Sequence, residues 1–258
     1  MDRIFSGLEN LGFNDLKDVE IYKSDNISED APTEKKEIKI QEYLYDKSYA
    51  CPVCGNNFKE KTVKIGKARL ISKDTDLMPK YENINPLFYD VVICPRCGYS
   101  ALIRYFDKIK QDQADLIRLK ISSKFKAKIY PDIYDLDTAI ERYKLALLNS
   151  VVKNAKNSEK AYICLKTAWL YRLKDSKEDE KKFLEQAFIG FKEAYEKEAF
   201  PICGMDKFTL MYLLGELSRR LGDNPEALLW FSKVIVSTNV SPRLKELARD
   251  QKDLIKNS

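Results

Sequence analysis

The sequence predicts an α+β fold in which a small β-rich domain precedes an all-α domain of repeated helices. The motif Cys-Pro-X-Cys-Gly occurs at residues 51–55 and again at 94–98, among short β-like runs. From about residue 110 onward, apolar residues recur with helical spacing and glycines are few. We therefore expect an acidic leader and linker at 1–37, a ribbon domain at 38–109 and a helical domain at 110–258.

Composition restricts the class of protein. The chain has 258 residues, of which 44% are hydrophobic, enough for one large core or two modest ones. No apolar run approaches the roughly 18 residues needed to cross a bilayer, and the N-terminal stretch lacks the basic and apolar regions of a signal peptide. We therefore expect a cytoplasmic protein that has no membrane partner.

The N-terminal part is acidic. Residues 1–50 carry 7 basic and 12 acidic side chains, whereas the whole chain has a net charge of +5. Residues 1–22 contain scattered apolar positions and are expected to dock on the body of the protein. Residues 23–37 contain Pro32 and almost no large apolar side chain, which indicates a flexible linker. The leader is itself a candidate ligand for a basic face of the body.

The cysteine pairs indicate a metal site. A two-residue spacer lets both sulfurs of a pair face one point, and a glycine after the pair can adopt the positive φ that such a turn needs. Two of these zinc knuckles supply enough thiolates for one tetrahedral Zn²⁺. A redox CxxC pair or four free thiols are the alternatives, and two matching knuckles favour zinc over both. The predicted ligands are Cys51, Cys54, Cys94 and Cys97.

The chain contains no histidine. Its absence excludes Ser–His–Asp and Cys–His nucleophile systems, as well as the usual histidine-ligated catalytic zinc. Four cysteines also fill the coordination sphere of zinc, so no position is left for water or substrate. The expected cofactor is one structural zinc ion, and the expected protein is not an enzyme.

The segment between the knuckles should form a β-hairpin with an elaborated loop, because 39 residues separate the two pairs. It also holds the densest basic stretch of the chain. These side chains predict either a solvated strand face or, as the alternative function, a nucleic-acid-binding surface. The basic residues are Lys59, Lys61, Lys64, Lys67, Arg69 and Lys73.

The helical region contains a repeated pattern of small, aromatic and small residues. The pattern resembles the second helix of the tetratricopeptide repeat, where such residues let paired helices pack closely. The intervals of 48 and 40 residues exceed the usual 34, and a plain helical bundle with core residues at these positions is the alternative. The three instances are Ala139, Tyr143 and Ala146; Ala187, Phe191 and Ala194; and Ala227, Phe231 and Val234.

The other helices of these hairpins carry cations beside aromatic rings. Stacked helical hairpins leave such side chains on a concave face, where they suit an acidic peptide or a C-terminal carboxylate. The sequence therefore predicts a protein or peptide partner for this face. The candidate partner-binding residues are Lys160, Tyr162, Lys166, Arg172, Lys207, Tyr212, Arg219 and Arg220.

Two stretches of the sequence resemble a known family. They read YDKSYACPVCGNNF and SKDTDLMPKYENINPLFYDVVICPRCGYSA. Together they resemble the motif of the bacterial proteins grouped as domain of unknown function 2225. The resemblance implies a zinc ribbon joined to tetratricopeptide-like helices from about residue 40 onward. That family carries no established activity, so the resemblance implies no particular reaction.

The inter-knuckle segment also holds a cluster of hydrogen-bonding side chains. It predicts either a ligand-recognition loop, with an acidic pair for a second cation, or a turn whose carboxylates bond to nearby N–H groups; we favour the turn. The candidate loop residues are Asp74, Asp76, Tyr81, Asn85 and Tyr89. The two remaining cysteines, Cys164 and Cys203, are expected to be buried, unreactive thiols.

Overall fold

The structure, a computed structural model, describes residues 40–257, and the predicted leader and linker lie outside that range. Residues Ile38–Ser258 belong to one compact unit, which spans the boundary expected near residue 110. Within the described residues, short antiparallel strand pairs come first and a mostly helical region follows. The predicted α+β class is confirmed. The division into separate ribbon and helical domains stays a prediction.

Six short strands pair as three antiparallel hairpins. They are β1 (Leu44–Ala50) with β2 (Asn57–Val63), β3 (Arg69–Lys73) with β4 (Pro79–Glu82), and β5 (Val91–Ile93) with β6 (Ser100–Leu102). The first knuckle is the turn between β1 and β2, and the second knuckle is the turn between β5 and β6. Each cysteine pair is therefore held at the tip of its own hairpin.

The inter-knuckle segment differs from the expected single hairpin. The β3–β4 hairpin does lie there, but β2 and β5 pair with strands outside the segment. The near alternation of apolar residues from 63 to 70 is not one strand. The chain turns at Gly66, whose φ is 79°, and leaves Ile65 fully exposed. Gly66 is also where the alternation of apolar residues is broken in the sequence.

Eight helices lie among the described residues. They are α1 (Ile103–Phe106), α2 (Gln111–Ile117), α3 (Leu136–Val152), α4 (Asn157–Leu173), α5 (Lys177–Lys197), α6 (Lys207–Leu221), α7 (Asn224–Val236) and α8 (Pro242–Lys256). A π-helical turn, Arg118–Ser122, extends α2. From α3 to α8 each helix packs against the next.

The repeated small–aromatic–small positions form the contacts between helices. All nine residues predicted from the pattern are completely buried. Gly215 of α6 lies against the ring of Phe231 of α7, and a Cβ atom at Gly215 would come within 2.7 Å of that ring. Residue size at these positions therefore sets the distance between the two helices.

The ribbon and the helices share one hydrophobic core. Val91 and Ile93 of β5 pack with buried residues of α3 and α4, whereas Val92, which lies between them, packs in a second cluster around the knuckles. The β5–β6 hairpin is thus buried on both faces, which explains the uninterrupted apolar sequence of β5. The helices do not have a core separate from the ribbon.

Candidate metal centre

The four predicted ligands converge on one point. Their sulfur atoms all lie within 4.8 Å of one another. The Cys51 and Cys97 sulfurs are 3.6 Å apart, as are those of Cys54 and Cys94. Four sulfurs placed 2.3 Å from a tetrahedral ion would be about 3.8 Å apart, and a disulfide would be far shorter. The arrangement fits a metal ion, which these residues could bind.

The backbone of the two knuckles is nearly the same. Gly55 N donates to Cys51 O at 2.8 Å, and Gly98 N donates to Cys94 O at 3.0 Å. Both glycines have a φ of 72°, a conformation that side chains other than glycine rarely adopt. The sequence motif therefore encodes the turn that brings each pair of sulfurs together.

Contacts between the sulfurs alter the ionisation of three of the four thiols. Hydrogen bonding with Cys51 lowers the pKa of Cys94, while thiol–thiol contacts raise the pKa of Cys51 and, most strongly, that of Cys97. A bound cation would favour the thiolate form, because a coordinated thiol is deprotonated outright, so metal binding here would release protons.

Helical side chains hold both knuckles in place. The Arg118 guanidinium donates to Val53 O at 2.9 and 2.7 Å. Asn149 Nδ2, which is buried, donates to Gly98 O at 3.2 Å. We did not predict either residue. Asn149 lies on the buried face of α3. A polar residue on this otherwise apolar helix face was the sequence signal that could have identified it.

The turn of the β3–β4 hairpin, residues 74–78, docks on the helices. The side chain of Asp76 is completely buried and accepts hydrogen bonds from Trp169 Nε1 at 2.9 Å and Arg172 Nη2 at 2.6 Å. Asp74 pairs with Arg172 at 3.0 Å and with Arg220 at 3.1 Å. Burial opposes ionisation of Asp74, but the Thr75 N–H and the two arginines outweigh it and lower its pKa. The Asp74 carboxylate is therefore stabilised as an anion.

Thr75 lies between the two aspartates and completes this contact. Its hydroxyl donates to Glu216 Oε1 at 2.5 Å and accepts from Arg220 Nη2 at 2.7 Å. Its carbonyl oxygen accepts from the hydroxyl of Tyr212 at 2.9 Å. Within the described residues, the aspartates and Thr75 therefore belong to one ion-pair and hydrogen-bond network with the helices, and a second cation there stays an alternative.

The remaining candidate loop residues have structural contacts. Asn85 Oδ1 accepts from Leu87 N at 3.0 Å and caps a short 3₁₀ helix, Pro86–Tyr89. The ring of Tyr89 is buried and stacks on Tyr134 with 4.8 Å between ring centroids. Tyr81 faces Leu70 across the β3–β4 hairpin. These contacts agree with the turn interpretation that we favoured.

Five of the eight candidate partner-binding residues form side-chain ion pairs or hydrogen bonds with other described residues. They are Lys166, which pairs with Asp90, and Arg172, Tyr212, Arg219 and Arg220. Of the others, Tyr162 packs beside Lys166 and Arg104, Lys160 is half-buried and Lys207 is exposed. The helical face expected to receive an external peptide thus holds the hairpin turn. Binding of a partner there stays a prediction.

The basic stretch is partly neutralised. Lys61 pairs with Asp46 at 2.9 Å, and Arg69 pairs with Glu82 at 3.5 Å.

Cys164 is buried in α4, and burial raises the pKa of its thiol to about 12. Burial also raises the pKa of the partly buried Cys203 thiol. Neither of these two cysteines carries the lowered pKa of a reactive thiol.

Comparisons with known proteins agree with the motif. The family described as "Uncharacterized protein conserved in bacteria (DUF2225)" matches residues 44–255. The chain belongs to this family. An uncharacterized protein of Borreliella burgdorferi is 24% identical over 162 residues, which are 55% of this chain and 57% of the relative. The match thus spans little more than half of that relative's length. No solved structure matches the chain.

Proposed function

We propose that this member of the family is a non-enzymatic interaction protein of the cytoplasm, in which a structural zinc ribbon is fixed to a tetratricopeptide-like scaffold. The convergence of four cysteine sulfurs carries the proposal. Bound zinc would hold the two knuckles together, and four thiolates leave it no open position for a substrate. Among the described residues, no helix has the length and apolarity to cross a membrane.

The zinc assignment has a direct test. Metal analysis of the purified full-length protein is expected to give one zinc per chain, and Cys94→Ser is expected to abolish it because one of four ligands is lost. The matched control is Cys164→Ser, which removes a buried thiol outside the cluster. Iron with visible absorption, or full zinc content in Cys94→Ser, would contradict the proposal.

Helix packing supports the scaffold. The small–aromatic–small residues lie between successive helices, and Gly215 permits close approach of α6 and α7. These are the contacts that tetratricopeptide-like hairpins require. The hairpin turn docked on α4 and α6 presents two carboxylates and a hydroxyl to this helical face.

The exposed side of the ribbon is the surface that we assign to a partner. Every residue of β3 is exposed, and Leu70 and Ile71 remain 47% and 65% accessible. Arg69 and Lys73 flank these two side chains, so the surface is basic and aliphatic. Aliphatic side chains favour a protein over single-stranded nucleic acid, which binds by stacking on aromatic rings. The expected partner is a protein with an acidic and partly apolar segment.

A comparison of capture experiments tests this surface. Wild-type protein is expected to retain one partner from extracts of its native bacterium, and Leu70→Ser with Ile71→Ser is expected to lose it. The control is Leu229→Ser with Val236→Ser, which changes two exposed aliphatic residues of α7. Loss in both double variants, or in neither, would refute the β3 surface.

The salt dependence of binding distinguishes the alternative function, nucleic-acid binding, from binding of a protein partner. Nucleic-acid binding through the basic inter-knuckle segment would fall steeply between 50 and 200 mM salt, by about a thousandfold or more if six phosphates are contacted. A protein contact with apolar anchors would weaken far less. The ion pairs of Lys61 and Arg69 reduce the charge that this segment can offer to phosphates.

A further inference from the structure

A cavity of about 330 Å³ lies beside the second knuckle. The β1–β2 hairpin forms one side, and Ile93 and Pro95 of the knuckle form another. The third side is the connection of residues 123–135, which contains neither helix nor strand. Long irregular connections inside a folded unit are uncommon and often serve as binding loops. The volume is at the lower end of the range for small-molecule pockets.

Aromatic rings make up much of the lining. Phe58, Phe125 and Tyr130 are each only half-buried, and all three line the cavity. Phe125 is fixed in position because it packs directly on Gly98 of the second knuckle. Flat aromatic walls of this kind suit a planar ring in a ligand, since offset and edge contacts between rings are favourable.

A buried arginine lies at one end of the lining. Arg142 is 1% exposed, and its guanidinium lies between the rings of Tyr130 and Tyr134, 4.8 and 4.5 Å from their centroids. Its Nη2 atom donates to Glu60 and to Val91 O, both at 2.7 Å. Its Nε atom is buried and has no hydrogen-bond partner among the described residues. A buried donor without an acceptor is unfavourable, and an acceptor from a ligand would offset that cost.

The charged side chains around the cavity, together with their ion-pair partners, balance, four cations against four carboxylates, and most of them are already paired. Lys61 already bridges Asp46 and Asp132, and Lys128 pairs with Glu141. Lys59 also lines the cavity and is exposed, and no ion pair joins it to another described residue. The cation that remains available at the rim is therefore a single lysine. A ligand with one negative group could pair with this lysine.

We propose that this cavity binds a small planar organic anion, an aromatic ring that carries one carboxylate or phosphate group. The ring packs against Phe58, Phe125 and Tyr130. The anionic group pairs with Lys59 and lies toward the spare donor of Arg142. This site uses none of the metal ligands and none of the residues that we assign to the protein partner.

Ligand-observed saturation-transfer NMR on the zinc-loaded full-length protein tests the site. The probes are benzoate, indole acetate and adenosine monophosphate, each with its neutral analogue: benzamide, indole acetamide and adenosine. We expect at least one anion to bind with a Kd below about 1 mM and its neutral analogue to bind at least about tenfold more weakly. The carboxylate and phosphate probes show which anionic group the site prefers.

Two lysine variants locate the binding. Lys59→Gln is expected to weaken the bound anion by about tenfold, since a charge-assisted contact is lost. Lys67→Gln removes an exposed lysine of the same basic stretch that does not line the cavity, and it should leave the affinity unchanged. The proposal is overturned if no anion binds at about 1 mM, if neutral analogues bind equally well, or if both variants weaken binding alike.

Discussion

The first knuckle, Cys51–Gly55, and the second knuckle, Cys94–Gly98, share a sequence motif and a glycine φ of 72° but differ in their surroundings. No atom beyond the adjoining residues lies within 4 Å of a Cβ built on Gly55, whereas a Cβ on Gly98 would come within 2.4 Å of Phe125. The strands that carry the second knuckle are buried on both faces. The two knuckles therefore have the same backbone geometry but different packing. Substitutions should destabilise the protein more at the second knuckle than at the first.

The largest difference should come from ligand replacement. Cys54→Ser and Cys94→Ser are both expected to lose the metal, with a loss of at least about 4 kcal/mol of unfolding free energy. Because Cys94 is completely buried next to the shared core, its variant should also lose helical signal in circular dichroism. Unchanged helicity in Cys94→Ser would mean that the ribbon folds separately and that the boundary near residue 110 is real.

Removal of the metal should reveal the same difference between the two knuckles without a mutation. After chelation, hydrogen exchange measured by NMR is expected to show a loss of protection at Gly55 N–H about tenfold greater than at Gly98 N–H. Gly98 is buried against Phe125 and its carbonyl accepts from Asn149. Gly55, in contrast, is exposed, and the first knuckle is held by Arg118 and the buried Val53 side chain. Equal loss at both amides would show that the metal alone orders the two turns.

Glycine replacement separates backbone strain from packing. Gly55→Ala should cost about 1–2 kcal/mol, because alanine is strained at positive φ. Gly98→Ala carries the same strain and adds a clash with the near end of the Phe125 side chain, worth about a further 1–3 kcal/mol. Chemical denaturation of the zinc-loaded variants measures both costs. Equal destabilisation would show that Phe125 moves aside freely.

The smallest difference concerns the helical side chains at the knuckles. Asn149→Ala removes buried hydrogen bonds to Gly98 O and Ser100 Oγ, and should cost about 2 kcal/mol. Arg118→Ala removes a more exposed contact with Val53 O and should cost about 1 kcal/mol. Thermal unfolding with zinc bound gives both values. A greater loss in Arg118→Ala would reverse the comparison between the knuckles.

Local spacing made the knuckles and the helix contacts predictable. Two residues between cysteines and a following glycine determine a turn whatever surrounds it, and the repeat of small and aromatic residues determines which helix faces are buried. Arg142 lies on the buried stripe of α3, three residues after Ala139, but we did not predict its burial. The sequence could not show that Glu60, 82 residues earlier, would be its partner.

The sequence by itself determined the two cysteine knuckles that could bind a metal ion, the α+β class and the nine buried repeat positions of the helices, because each depends on neighbours within a few positions. Only the tertiary structure decided which polar groups meet. Asp74 and Asp76 read as turn residues, and Arg172 and Arg220 read as a free binding face, yet the two sets neutralise each other across about 100 residues or more of chain. Opposite charges attract according to their distance in space, whatever their separation in sequence. No local sequence pattern therefore encodes which of these charges come close enough to pair.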